Sequence, residues 1–137
     1  MSGRNKFTDM PQPNILIIGM GSNHNAAANL EMARQELKKR YPQTVFSNVR
    51  DTEPVGFKRN TALFTNQLAL LKTEDDIPAV RSFLKSLEQL AQRTAADKAN
   101  EIVRLDLDIL QANETIIKKE ELQRSYYQDA LSELPRF

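Results

Sequence analysis

At 137 residues, 40% hydrophobic and 27% charged, the chain has the length and balance of one soluble globular domain, which excludes fibrous and low-complexity classes. A formal net charge of +1 supplies no general pull toward nucleic acid or anionic membrane, and no basic run is interleaved with aromatics. The absence of cysteine removes disulfides, thiolate metal sites and cysteine nucleophiles, while the single histidine, His24, excludes a multi-histidine zinc site.

Met1 to Pro13 is polar, lacks the apolar core of a secretory signal and is expected to be a disordered leader to a single domain spanning 14–137. No apolar run reaches bilayer-spanning length, so a cytoplasmic protein with no membrane partner is the default expectation. Ile15-Leu16-Ile17-Ile18, stopped by Gly19-Met20-Gly21, reads as a short buried strand. Asn25 to Arg40 reads as a helix with Leu30, Ala33, Leu37 and Tyr41 on one face, Asn25 as its cap and Pro42 as its stop.

Val45 to Arg50 alternates and is expected to form a second strand; Asp51 to Thr61, with Pro54 and Gly56, has the chemistry of a loop. Ala62 to Leu71 reads as a third strand. Ile77-Pro78 opens a second helix, expected to run to Gln92, with Val80, Phe83, Leu84, Leu87, Leu90 and Ala91 as its buried stripe. After a polar loop at 94–101, Arg104 to Leu110 alternates strictly, with Leu105, Leu107 and Ile109 between Arg104, Asp106 and Asp108. From Asn113 onward a hairpin or short strand, followed by a charged helical tail, is expected. The order β-α-β-β-α-β is the split-βαβ, ferredoxin-like arrangement of the α+β class, with both helices on one face of an antiparallel sheet and the other face left for a ligand.

The last alternating strand throws Asp106 and Asp108 onto one face, roughly 7 Å apart at Cα. Hard divalent cations such as Mg²⁺ prefer such oxygen donors, commonly one or two carboxylates together with substrate phosphates. A solvated strand face gives the same pattern, so the aspartates gain meaning from their company. Gly19-x-Gly21-Ser22-Asn23 joins a strand to a helix, where backbone amides can face phosphate or simply make a tight turn. Thr52-Glu53-Pro54-Val55-Gly56 is a constrained loop. Phe64 and Asn66 alternate on one strand and pair an aromatic ring with an amide, a combination suited to a flat polar heterocycle. Glu88 and Arg93 close the second helix, and Lys98, Lys118, Lys119 and Arg124 are scattered cations available to phosphate.

Taken in order, Gly-Ser-Asn, Thr-x-Pro-x-Gly, Phe-x-Asn, Glu88…Arg93 and Leu-Asp-Leu-Asp-Ile resemble 6-hydroxymethyl-7,8-dihydropterin pyrophosphokinase, from about Asn14 to Leu122. That family moves diphosphate from ATP to a pterin alcohol in folate biosynthesis. The resemblance implies two Mg²⁺ ions on Asp106 and Asp108, with Arg104 beside them as a catalytic cation. It further implies pterin contacts from Thr52, Val55, Phe64 and Asn66, and ATP contacts from Glu88, Arg93 and Lys98. The sequence departs from the family pattern where Ile102 and Val103 stand for proline and arginine, Gln92 for glycine, Ala95 for arginine, Asn100 for an aromatic and Tyr126 for a histidine. Two expectations follow: an active diphosphokinase, or a related module that binds pterin, or another partner, without turnover.

Overall fold

The computed structural model describes residues 12–135; residues 1–11 of the expected leader lie outside the described residues. The elements are β1 (Asn14–Ser22), α1 (Ala26–Arg40), β2 (Val45–Phe46), β3 (Arg50–Thr52), β4 (Phe64–Thr73), α2 (Ile77–Leu90), β5 (Asp106–Ala112), β6 (Thr115–Ile116), α3 (Lys119–Leu122) and α4 (Ser125–Leu131). The sheet runs β2-β4-β1-β5-β6, with β3 also on β4, and every pairing is antiparallel. This is the β-α-β-β-α-β order, with β1 and β4 as the long central strands.

Alternation along those strands makes two unlike faces. Leu16, Ile18 and Met20 of β1, Ala69 and Leu71 of β4, and Leu107 and Ile109 of β5 point to the helix side. There they meet Leu30, Ala33 and Leu37 of α1 and Val80, Leu84 and Leu87 of α2. Asp76 caps α2, its carboxylate accepting the Ala79 N–H at 2.8 Å, and Pro78 sits where a missing N–H costs nothing. Asn25 does not cap α1 with its side chain; it turns left-handed at φ 47°, and its carbonyl accepts from the Asn29 N–H instead.

The expected second strand, Val45 to Arg50, is broken in two. Phe46 lies opposite Ala69 and Arg50 opposite Asn66, so four steps on one strand match three on the other, a bulge. Ser47 fills the gap: its hydroxyl accepts the Leu68 N–H and its carbonyl accepts the Gln67 side-chain amide. β4 begins two residues later than expected, at Phe64, and α2 ends two earlier, at Leu90.

The second face is only half open. Leu122 of α3 and Tyr127 and Ala130 of α4 pack there on Leu68 and Leu110, making a second, smaller core. Leu110 is the extra residue of a bulge in β5, since Ile17 lies opposite Gln111 while Ile18 lies opposite Ile109. The end of the cover is tied down by Glu133, which pairs with Arg50 at 2.6 Å and accepts from the Asn48 side chain. What α3 and α4 leave uncovered is the end of the sheet that carries Gly21, Asn66 and Asp106.

Candidate active site

Three neighbouring strands build the floor of this open end. Gly21 of β1 lies opposite Asn66 of β4 on one side and Asp106 of β5 on the other, and Gly19 lies opposite Asp108. A glycine therefore stands beside each aspartate, and the two glycines do different work. A Cβ on Gly19 would come within 2.9 Å of Leu110 and 3.0 Å of the Tyr127 hydroxyl, so that glycine admits the α4 cover. A Cβ on Gly21 would meet nothing nearer than Asn66 Oδ1 at 3.5 Å, so that glycine leaves empty space.

The space is a cavity of about 170 Å³ lined by Gly21, Thr52, Glu53, Val55, Phe57, Phe64, Asn66, Val103, Asp106, Glu121, Arg124, Tyr126 and Tyr127. Thr52 arrives opposite Phe64 because β3 resumes after the bulge in the matching phase. Asn66, which is buried, donates its amide N–H to Thr52 Oγ1 at 2.7 Å, which turns Oδ1 toward Gly21. Phe57 lies against Phe64 with ring centroids 5.5 Å apart. One wall thus offers an aromatic surface and a fixed amide acceptor, and the opposite wall offers carboxylates.

Asp106, Asp108 and Glu121 bring one carboxylate oxygen each within 4.8 Å of one another. Burial, together with the negative charges of Asp108, Glu88 and Glu121, pushes the Asp106 carboxyl up to about 7, although solvent reaches it through the cavity mouth. Glu121 is raised as well, by burial and by Asp108. Carboxylates that repel one another in a partly enclosed space form a hard-oxygen donor set, and a divalent cation relieves that repulsion. The residues present therefore fit Mg²⁺. Tyr127, buried at the back of the cavity, has its hydroxyl pushed above the ordinary tyrosine range by burial and by Glu121, and stays neutral.

Of the residues singled out from the sequence, Asp106, Thr52, Val55, Phe64 and Asn66 line this cavity, and Asp108 joins Asp106 from the next pleat. Arg104, Glu88, Arg93 and Lys98 lie elsewhere. Arg104 precedes β5 and turns onto Asp97, with Nε at 2.9 Å and a second nitrogen at 3.3 Å, so the expected cation beside the aspartates is committed to a loop. That arginine and two hydrogen bonds from Thr94 hold the Asp97 carboxyl well below the usual carboxylate range. Glu88 is buried under β5, where its carboxylate accepts the Leu107 N–H at 2.8 Å. Arg93 and Lys98 are exposed outside the cavity. Arg124 is the one cation lining it among the described residues, and it donates to the Tyr126 hydroxyl at 3.0 Å.

Sequence reasoning missed Glu121, Tyr127, Phe57 and Gly21 as parts of one site. Phe57 lies in a loop without periodicity and reaches the site by packing on Phe64, and Glu121 differs in no local respect from Glu120, so only the packing of α3 on the sheet selects it. The family model described as 7,8-dihydro-6-hydroxymethylpterin-pyrophosphokinase (HPPK) matches residues 17–136, a span that contains every cavity residue. No curated protein matches the chain.

Proposed function

The chain belongs to the 7,8-dihydro-6-hydroxymethylpterin-pyrophosphokinase family, and from that premise we propose that it transfers diphosphate from ATP to the hydroxyl of 6-hydroxymethyl-7,8-dihydropterin, as a cytoplasmic enzyme of folate biosynthesis. The observation that carries this reading is the shared cavity, in which an aromatic wall with an amide acceptor faces a carboxylate cluster. In the transfer, the pterin hydroxyl oxygen bonds to the β-phosphorus, the bond from that phosphorus to the α,β-bridging oxygen breaks, AMP leaves and the hydroxyl proton is lost. Asp106 and Asp108 hold two Mg²⁺ ions in this reading, with Glu121 close enough to add a third carboxylate; bound there, Mg²⁺ neutralises charge on the phosphate oxygens.

The chain's own residues account for the rest. Phe64 supplies the face on which the pterin ring stacks, Phe57 packs against Phe64, and Val55, largely exposed, borders the same side. Asn66 Oδ1 accepts a ring N–H, its orientation fixed by the bond its other amide atom makes to Thr52. The Asp106 carboxyl, raised to about 7, holds its proton over part of the neutral range, so a cation taken up there would displace that proton. Glu88 holds the β5 edge rather than reaching into the cavity, and Arg104 keeps the preceding loop in place. Arg93 and Lys98 are the remaining cations for ATP, outside the cavity and free to meet a triphosphate that extends beyond it.

A second reading, a pterin-binding module with little turnover, is favoured by one observation: Arg124 is the lone cation in the cavity among the described residues. Each missing charge-assisted phosphate contact costs about 1.5–3 kcal/mol. Titration calorimetry with the dihydropterin alcohol tests the feature common to both readings. Wild type should bind, and Phe64→Ala should bind about tenfold more weakly through loss of the stacking surface. Equal affinity in the two proteins would refute the assignment of that wall.

A further inference from the structure

Segment 53–63 forms one wall of the cavity, yet it contains no helix or strand. Gly56 sits at its tip with φ 77° and nothing within 4 Å of where a Cβ would stand. Such a loop has little of its own to hold it in place. Its fixed point is Glu101, from the connection between α2 and β5. The Glu101 carboxylate accepts three consecutive backbone N–H groups, from Lys58 at 2.8 Å, Arg59 at 2.6 Å and Asn60 at 2.9 Å. The Glu101 carbonyl accepts two side-chain amides, from Asn60 at 3.0 Å and Asn23 at 2.9 Å.

The backbone at Glu101 is itself unusual. It is left-handed, at φ 55°, a conformation that side-chain-bearing residues rarely adopt. Such a residue persists where its surroundings over-determine it, and here five accepted hydrogen bonds do so. The anchor is also rigid on its own side. Asn23, at the end of β1, brackets Val103 by donating its N–H to the Val103 carbonyl and accepting the Val103 N–H on Oδ1. Val103 lines the cavity. Glu101 therefore joins a loop with little structure of its own to the fixed end of the sheet, and Phe57, which packs on Phe64, lies one residue before the three clamped amides.

We propose that Glu101 is a positioning residue that latches segment 53–63 into the cavity-forming conformation before ligand arrives, and so sets affinity for the cavity's ligand rather than the rate of the chemical step. A wall held in its bound shape removes the ordering cost from binding, which is where preorganisation gains affinity. Glu101→Gln keeps the size and one accepting oxygen but puts an amide N–H₂ in place of the other, facing at least one backbone donor. Glu101→Gly removes the carboxylate while suiting the left-handed backbone, so the fold is retained and only the latch is lost. The ligand's identity as a pterin rests on the function proposed above; the latch does not.

The test compares wild type, Glu101→Gln and Glu101→Gly in four measurements: hydrogen exchange at the amides of 58–60, titration with the dihydropterin alcohol, titration with Mn²⁺ as a probe of the carboxylates, and diphosphate transfer. Glu101→Gly should exchange all three amides, and Glu101→Gln at least one of them, about tenfold faster or more, and both should bind pterin more weakly, about tenfold in Glu101→Gly. Mn²⁺ affinity and the rate at saturating pterin should stay at wild-type values, a split that general damage to the fold does not produce. Wild-type exchange rates in both variants would overturn the latch. Faster exchange with unchanged pterin affinity would overturn its positioning role. A wild type that takes up no pterin would overturn the site reading instead, and is told apart because a failure of the latch leaves the wild type binding.

Discussion

The two faces of this sheet are built from the same strands by the same alternation and have opposite uses. On the helix face, Leu16, Ile18 and Met20 of β1 and Leu107 and Ile109 of β5 are buried among α1 and α2. On the other face the intervening positions of those strands hold Gly19, Gly21, Asp106 and Asp108, which contribute room and charge instead of apolar area. One residue's step along a strand separates stability from chemistry. The second face is itself divided, since α3 and α4 close one half with Leu122, Tyr127 and Ala130 and leave the carboxylate end open. A protein with one dry face can carry repelling carboxylates on the other because the dry face supplies the stability.

The sharpest way to break that division is to cut into the dry face. Ile18→Ala, at a fully buried position, should lower unfolding free energy by about 2–5 kcal/mol, read by urea denaturation, while the folded protein keeps its ligand affinity. A loss confined to affinity would contradict the division.

The glycine pair sharpens it further. Gly19→Ala forces a Cβ against Leu110 and the Tyr127 hydroxyl and should cost about 1–3 kcal/mol by overpacking. Gly21→Ala, two residues along the same strand, should change stability by no more than about 0.5 kcal/mol, yet narrow the cavity floor and weaken pterin binding. Equal stability losses at the two glycines would show that the open end is packed like the covered end.

A smaller effect is expected from pH in metal-free protein. The folded Asp106 carboxyl is raised from 3.8 to about 7, so the folded state binds this proton more tightly than the unfolded chain. Its contribution is fully present below the unfolded value and is lost as pH rises from about 4 through about 7. Because the carboxylate is open to solvent, the loss should be on the order of 1 kcal/mol. Asp106→Asn should flatten this part of the stability curve and be slightly more stable than wild type at pH 8. A stability that rises with pH over this window in wild type, and is unaltered by the substitution, would remove the carboxylate repulsion from the account.

Much of this was legible in the sequence where periodicity is strong. β1, both long helices and the Asp106/Asp108 strand follow from apolar spacing alone, and so does the shared face of the two aspartates. The broken second strand was not legible, because Ser47 replaces a ladder bond with its own hydroxyl and no pattern of apolar residues records that. Arg104 alternates in phase with Asp106, but β5 starts only at Asp106, and a residue ahead of the strand is free to turn away to Asp97. Glu101 was invisible for a different reason: its carboxylate's partners are backbone amides, which carry no side-chain signature. Glu121 reached the site through the packing of α3, a tertiary event that its own neighbours in sequence do not specify.

Diphosphate transfer tests the central claim most directly, measured as pterin diphosphate and AMP formed from ATP, Mg²⁺ and 6-hydroxymethyl-7,8-dihydropterin by wild type, Asp106→Asn and Asp108→Asn. Each substitution removes one negative charge and one hard oxygen donor at nearly constant volume, so the fold should survive and circular dichroism should not change. Wild type should show Mg²⁺-dependent turnover, and each variant should lose it by a factor of about a thousand or more. Turnover that persists undiminished in both variants would contradict the assignment of the carboxylate face as the seat of the chemistry.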